Sequence, residues 1–316
     1  GPELYHAFCE IKQTFDPAGI FNPGKIVHAR PMTENLRFGP GYVTPDPTTT
    51  LYFSDFGGLG RAAEQCSGVG ECRKASAGTM CPSYMATREE MHTTRGRANA
   101  LRLAMSQSNG LRLNDDEVHA VLDLCLECRA CKSECPTGVD MARMKAEFLN
   151  NFNRVHGTPL RARLLAHPER MARWVRRMAP FSNWFLQSRA GRWLGEKMFG
   201  LSRHRPLPRV AVRRFEDWYL EHTLAETVRE RGPSASRSPD ASVILFRDTF
   251  TNYFEPEIGI AATELLEAAG RQVALVKHHC CGRPLISQGL LDEARDQAEF
   301  NVAHLFPLVE TGAKIL

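Results

Sequence analysis

Apolar positions along this chain first fall into a helical rhythm. Leu4, Phe8, Ile11 and Phe15 recur at i, i+4, i+7 and i+11, and two turn signals, Asp16-Pro-Ala-Gly19 and Asn22-Pro-Gly-Lys25, stop that helix. Residues 31–60 are rich in Pro, Gly and Thr. Pro40, Pro45, Pro47 and Gly57-Gly58 argue against helix there and for a linker packed over a neighbour. From 61 to 153 the helical period returns. Ala98, Leu101, Ala104 and Met105 share one face of a helix over Arg95–Met105, and Asp115-Asp116-Glu117 opens another with acids suited to its N-terminus. Val139–Phe152 reads as a third helix. Residues 154–240 form a basic helical connector and linker. Trp174, Met178, Phe181, Trp184, Phe185 and Trp193 alternate there with arginines, Pro168, Pro180, Pro206 and Pro208 interrupt, and Gly232 to Pro239 is linker-like by composition.

Beyond 240 the period changes. Ser242–Phe246, Gln272–Val276 and Ala313–Leu316 read as strands, with helices over Ile258–Ala269 and Asp292–Val309 between them. Such alternation predicts a parallel α/β layer, so the expected fold is mainly α with a partial α/β domain over 241–316. The chain enters its first helix without an initiator Met and stops inside a strand. It therefore reads as an internal or C-terminal piece of a larger protein.

Composition narrows the classes. At 43% hydrophobic, 316 residues can bury a sizeable core and form two domains or more. No apolar run approaches the ~18 residues of a membrane span, so no transmembrane segment is expected. A net charge of +4 is too mild to imply nucleic acid, although arginines heavily outnumber acids from Arg154 to Arg237. The ten cysteines are grouped rather than scattered, in a chain that is neither small nor led by a signal peptide. That pattern points to metal in a reducing compartment, hence a cytoplasmic protein.

The densest group is Cys125-Leu-Glu-Cys128-Arg-Ala-Cys131-Lys-Ser-Glu-Cys135-Pro136. Its C-x2-C-x2-C-x3-C-P spacing is the bacterial ferredoxin run, in which three thiolates take corners of one [4Fe-4S] cubane and the fourth reaches another cluster. Zinc sites typically use two separated pairs, or Cys with His. A second group, Cys66-Ser-Gly-Val-Gly-Glu-Cys72 followed by Cys81-Pro82, repeats the Cys-Pro ending. Its glycines let backbone wrap a cluster and leave N–H groups for sulfide. By the crossing rule Cys125, Cys128, Cys131 and Cys81 hold one cluster, and Cys66, Cys72 and Cys135 share a second. The second set is one ligand short. A three-iron cluster, a non-cysteine ligand, an exposed iron or a degenerate group that binds nothing would each account for that. The rival reading of both groups is a non-enzymatic iron–sulfur or zinc scaffold module.

Asp16-Pro-Ala-Gly-Ile-Phe-Asn-Pro-Gly-Lys25 resembles the end of the FAD-linked oxidase C-terminal domain, as in D-lactate, glycolate and D-2-hydroxyglutarate dehydrogenases. Cys66 to Cys81, with Ser83-Tyr-Met-Ala-Thr87 and Thr94-Arg-Gly-Arg-Ala98, resembles the helical dicluster ferredoxin-like domain fused behind such flavoproteins. His279-Cys280-Cys281-Gly282 resembles the cysteine-rich CCG domain that comes after it. The resemblance implies a 1–30 oxidase remnant, a 31–60 linker, a 61–153 iron–sulfur domain and a CCG-type domain from 241. It also implies an oxidoreductase acting on CH–OH groups, with FAD in an upstream domain of the same protein. Electrons would pass from that flavin through iron–sulfur clusters to a quinone, cytochrome or flavoprotein acceptor. Catalytic residues would lie upstream, so none is named in this chain, and the fragment alone is expected to be inactive.

The chain departs from that family: the FAD-binding domain and most of the substrate-binding half are absent from it, and only one CCG motif is present. Where many relatives carry a Cys after the first strand, it reads Asp248-Thr249-Phe250. Cys280 and Cys281 are therefore candidates for ligand or redox duty on one side and simple packing on the other. His278 and His279 read as structural. Arg95 and Arg97 read as neutralising cluster charge or capping a helix, and Cys9 as a core thiol. The Trp/Arg stretch reads as a solvated connector, with a peripheral place at a membrane surface as its alternative.

Overall fold

The computed structural model describes residues 1–36, 39, 41–106, 114–229 and 242–316. Pro40 and the expected linker over 232–239 lie outside the described residues. Residues Gly1–Thr44 form one compact unit and Pro45–Leu316 another. The first holds helix α1 (Pro2–Phe15) and a run of turns. Asp16 ends α1 and organises the first of those turns: its carboxylate accepts from Lys12 Nζ at 2.6 Å and from the amides of Ile20 and Phe21 at 2.9 Å.

The second unit begins with a helical layer: α2 (Leu59–Glu64), α3 (Pro82–Thr87), α4 (Thr94–Ser106), α5 (Asp116–Asp123), α6 (Ala130–Glu134) and α7 (Met141–His156). Their apolar faces make one core, in which Leu59, Leu101, Leu122, Met144 and Phe148 are almost wholly buried. The thiols of Cys66, Cys72, Cys81 and Cys131 belong to that same core. Side-chain caps set two of the helix starts. Asp115 accepts from the Glu117 amide to open α5, and Asp140 accepts from the Arg143 amide to open α7. Asp140 therefore starts the last helix two residues later than the apolar pattern implies. The Pro/Thr-rich segment is tied to the layer through a buried acid. Glu147, on α7, takes the amides of Thr50 at 2.9 Å and Leu51 at 2.8 Å, and Phe53 enters the core.

The connector is helical and short-pieced: α8 (Leu160–Ala166), α9 (Pro168–Arg176), α10 (Phe181–Gln187), α11 (Arg189–Phe199) and α12 (Phe215–Arg229). Trp174, Met178, Phe181, Trp184 and Trp193 remain exposed, and the Arg177 guanidinium lies 4.7 Å from the Trp174 ring centroid. After it come β1 (Ser242–Ile244), α13 (Thr249–Tyr253), α14 (Pro256–Ala268), β2 (Gln272–Ala274), α15 (Arg283–Ser287), α16 (Leu291–Glu310) and β3 (Lys314–Ile315). The three strands are parallel in the order β2-β1-β3, with Val243 opposite Val273 and Ile244 opposite Ile315. Helices bridge each parallel pair, as parallel pairing demands. The mainly α architecture with a small α/β part agrees with the sequence.

The α/β part docks on α7 at Gly289. Its φ is +69°, and a β-carbon there would sit 2.5 Å from Leu149 Cβ and 2.7 Å from the Asn150 nitrogen. Beside it, Asn153 Nδ2 donates to the Gln288 carbonyl at 2.8 Å. Gly289→Ala is expected to destabilise the chain by about 1–3 kcal/mol through overpacking and a disfavoured backbone. A chemical denaturation midpoint equal to wild type would contradict this packing.

Candidate iron–sulfur centres

Two open cavities lie in the helical layer. The first is lined by Cys81, Cys125, Cys128 and Cys131, with Arg97, Met80 and Thr94. The second is lined by Cys66, Cys72 and Cys135, with Gly68, Val69, Gly70, Arg95 and again Met80 and Thr94. Met80 and Thr94 thus form a wall common to both. The structure brings together Cys81, which ends the earlier Cys-Pro group, with the first three thiols of the later one. It brings Cys135 to the other cavity with Cys66 and Cys72.

Local sequence explains how the loops open. Across Cys125–Cys131 the backbone turns left-handed at Glu127 (φ 52°) and Arg129 (φ 61°), and α6 starts immediately after. Across Cys66–Cys72 it does so at Gly68 (φ 83°) and Gly70 (φ 84°), and a short 3-10 turn, Glu71–Arg73, follows. Glycine takes this conformation freely. In the later loop Glu127 is held in place by its ion pair with Lys145, 3.7 Å away, whose Nζ also donates to the Cys125 carbonyl at 2.7 Å. Burial nonetheless pushes the Glu127 carboxyl up to about 7.

The donors around the sulfurs are already placed. Arg95 N donates to Cys72 Sγ at 3.4 Å, and Arg97 Nη1 to Cys81 Sγ at 3.3 Å. Cys135 Sγ and Thr137 Oγ1 are 3.3 Å apart. Burial raises the thiols of Cys72 and Cys125, and raises Cys131 to about 11. Burial acts on Cys135 in the same direction, but hydrogen bonds from Thr137 and from the Thr137, Gly138 and Val139 amides hold it below the usual thiol range. The raised thiols of Cys72, Cys125 and Cys131 need a cation to displace their protons, so metal uptake there releases protons.

The residues at the first cavity fit an iron–sulfur cluster. The Arg97 guanidinium is 1% exposed, its Nε donates to the Val121 carbonyl at 3.2 Å, and its Nη2 has no partner. A buried donor left unpaired costs about 1–3 kcal/mol, and a sulfide or thiolate in the cavity would supply the acceptor. Among the described residues, no three His, Cys, Asp or Glu side chains converge as a single ion requires. Tetrahedral zinc, with Zn–S bonds of ~2.3 Å, would draw its sulfurs to about 4 Å from each other. Thiols that line one cavity without converging on a single point suit a group that brings its own irons and sulfides. The second cavity offers three thiols rather than four, so it fits a cluster only with one corner left without a cysteine.

Residues 62–139 match the 4Fe-4S dicluster domain family. Residues 1–26 match the C-terminal domain of FAD linked oxidases, so the resemblance expected from the sequence is borne out at both places. D-2-hydroxyglutarate dehydrogenase of Pseudomonas putida is 26% identical over 355 aligned positions, covering 99% of this chain and 34% of that protein. The Escherichia coli protein of the same name is also 26% identical, over 95% of this chain and 33% of its own length. One subunit of the E. coli anaerobic glycerol-3-phosphate dehydrogenase is 31% identical over 45% of this chain and 34% of that subunit. The chain thus spans about a third of the length of these curated relatives. No solved structure matches.

One feature of the dicluster domain was missed in the sequence though it was legible there. Aligning the two groups on their first thiols sets Cys66 against Cys125 and Cys72 against Cys131, and puts Val69 at the position of Cys128.

The other expected residues sit apart. Cys9 is on α1 in the first unit. At the end of β1, Asp248 and Thr249 meet the Cys280–Cys281 loop, where Arg283 Nε donates to Cys281 Sγ at 3.2 Å and Arg283 pairs with Asp248 at 3.7 Å. Hydrogen bonding from the Cys280 thiol, with that from Arg283, lowers Cys281, and the same sharing raises Cys280. The His278 ring stacks on Phe246 at 4.1 Å, and its Nδ1 lies 2.7 Å from the His279 carbonyl. No helix among the described residues is long and apolar enough to cross a membrane.

Proposed function

We propose that this chain is the iron–sulfur electron-transfer portion of a flavin-dependent D-2-hydroxyacid dehydrogenase. It relays electrons from FAD, held by an upstream domain of the same protein, to an acceptor such as a quinone, a cytochrome or a second flavoprotein. In this reading Cys81, Cys125, Cys128 and Cys131 hold one [4Fe-4S] cluster, and Cys66, Cys72 and Cys135 hold a second. The observation that carries the reading is the gathering of seven thiols into two cavities with a common wall of Met80 and Thr94. The names of two relatives, both D-2-hydroxyglutarate dehydrogenases, support the substrate class, and the glycerol-3-phosphate dehydrogenase subunit supports only oxidation at a CH–OH group.

When bound, the clusters supply one-electron redox chemistry. The chain's own residues position and tune. Arg97 and the Arg95 amide donate to thiolate sulfur from opposite sides of the common wall. Met80, 1% exposed, keeps water from the space between the cavities. The residues that oxidise the hydroxy acid are assigned to the flavin-binding part, and none is named in this chain. The protein is placed in the cytoplasm, with the arginine- and tryptophan-rich connector available to a membrane surface.

Anaerobic reconstitution tests the reading. It is expected to give a brown chain with about eight irons and eight sulfides, from two cubanes of four. Dithionite should then produce a paramagnetic signal from the reduced clusters. About four irons or fewer would refute the two-cluster reading, and bound iron with no signal on reduction would refute electron transfer.

A further inference from the structure

The two cysteine loops turn left-handed at the same two places and differ at one chemically decisive position between them. Each turns left-handed at the second and fourth residues after its first cysteine, Gly68 and Gly70 in one, Glu127 and Arg129 in the other. Each then enters a helical turn that carries its last cysteine of the loop, Cys72 or Cys131. Between the two left-handed residues stands Cys128 in the later loop and Val69 in the earlier one. Both positions are exposed, Val69 at 68%, and both line their cavity. The backbone that presents a thiolate to the first cavity therefore presents an isopropyl group to the second.

Among the described residues that line the second cavity there is no fourth cysteine and no histidine. Its oxygen groups are the hydroxyls of Ser67, Thr94 and Thr137, harder donors than a thiolate, and one carboxylate, Glu71, which is engaged by Lys74. The Thr137 hydroxyl is on Cys135 Sγ, and the Arg95 side chain is a cation held by Glu90 at 2.7 Å. We infer that the second cavity holds its cluster by three thiolates alone, Cys66, Cys72 and Cys135. The iron corner nearest Val69 then has no protein ligand and carries a water from solvent. The inference rests on the proposed two-cluster reading and deepens it.

An iron held only by sulfides and water leaves readily once the cluster is oxidised. The balanced step is [4Fe-4S]²⁺ → [3Fe-4S]⁺ + Fe²⁺ + e⁻, the electron passing to ferricyanide, which becomes ferrocyanide. The first cluster, with four thiolates, keeps its irons under the same mild treatment. The three-iron product is paramagnetic when oxidised, whereas an oxidised cubane is silent, so the two are told apart spectroscopically.

The test uses the full chain, reconstituted anaerobically and treated with one to two equivalents of ferricyanide. Wild type is expected to lose about one iron of about eight, given two four-iron clusters, and to gain an oxidised-state signal near one spin per chain. Ferrous ion with dithiothreitol should restore the iron and remove the signal. Val69→Cys should keep its full iron and stay silent, while Val69→Ala, which adds no ligand, and Glu71→Gln should behave as wild type. Wild type that keeps all its iron and stays silent would overturn the inference, whether or not Val69→Cys folds. So would a folded Val69→Cys as labile as wild type, or a Glu71→Gln chain that loses the second cluster. Failure of the underlying reading shows earlier and separately, as about four irons or fewer before any oxidant is added.

Discussion

Replacing Cys131 by serine is expected to strip the chain of about half its iron, one of two four-iron clusters. Cys131 is 8% exposed and lies in the main core, at the start of α6, with Met141 in the same cavity wall. Burial has already raised its thiol to about 11, so as a free thiol it brings no charge to that core, and iron is what makes it a thiolate. An alkoxide-type oxygen in its place is a harder ligand that this iron binds poorly. Four of the seven cavity cysteines are core residues, and metal-binding energy is folding energy. Thermal stability should therefore fall together with iron content. A loss of several kcal/mol corresponds to roughly 10 °C at about 2–4 °C per kcal/mol. Cys9→Ser is the control: Cys9 belongs to the separate unit formed by residues Gly1–Thr44, and neither iron nor melting temperature should change. A Cys131→Ser chain with full iron, or a bleached Cys9→Ser chain, would sink the assignment.

The second large effect concerns Arg97. Its guanidinium is buried at 1% exposure, donates to Cys81 Sγ and the Val121 carbonyl, and keeps Nη2 unpaired at the first cavity. Reduction adds one negative charge to a cluster, and a fixed cation beside it stabilises the reduced form more than the oxidised one. Arg97→Met removes the charge and keeps much of the volume. A hydrogen bond to a charged group contributes about 1.5–3 kcal/mol. If the reduced form holds that advantage, the midpoint of the first cluster should fall by about 60–130 mV, at 59 mV per tenfold change for one electron. Arg97→Lys should fall less, since it keeps the charge but not the forked geometry. The measurement is a potentiometric titration followed by electron paramagnetic resonance. A midpoint equal to wild type with iron retained would show that Arg97 only packs.

Local features of the sequence carried much of this. Local pattern marked α1, α4, α7, α14 and α16 and all three strands, and the acids at its N-terminus marked α5, because a helix face, a helix start or a strand needs only neighbours in sequence. The iron–sulfur character was equally legible, since cysteine spacing within one loop is a local property. Boundaries were less so: α7 starts at Met141 because Asp140 caps it, and α14 starts at Pro256, a residue suited to the first helical turn.

The sequence by itself determined the types of element, their order and the kind of ligand each cysteine loop offers. Only the tertiary structure decided how distant residues meet. Cys81 lies 44 residues before Cys125 in sequence; the crossing rule expects them at one cluster, but the cavity they share is built by how α3, α4 and α6 pack. The same packing strands Arg97 Nη2 without a partner, makes Met80 and Thr94 a common wall, and joins Glu147 to the Thr50 and Leu51 amides. It also leaves Trp174, Trp184 and Trp193 exposed and brings Asp248 to Arg283 beside Cys281. The physical reason is that period and spacing constrain φ, ψ and facing direction over a few residues. Burial of a charge, the satisfaction of a donor and the walls of a cavity are properties of elements meeting in space, and no local pattern carries them.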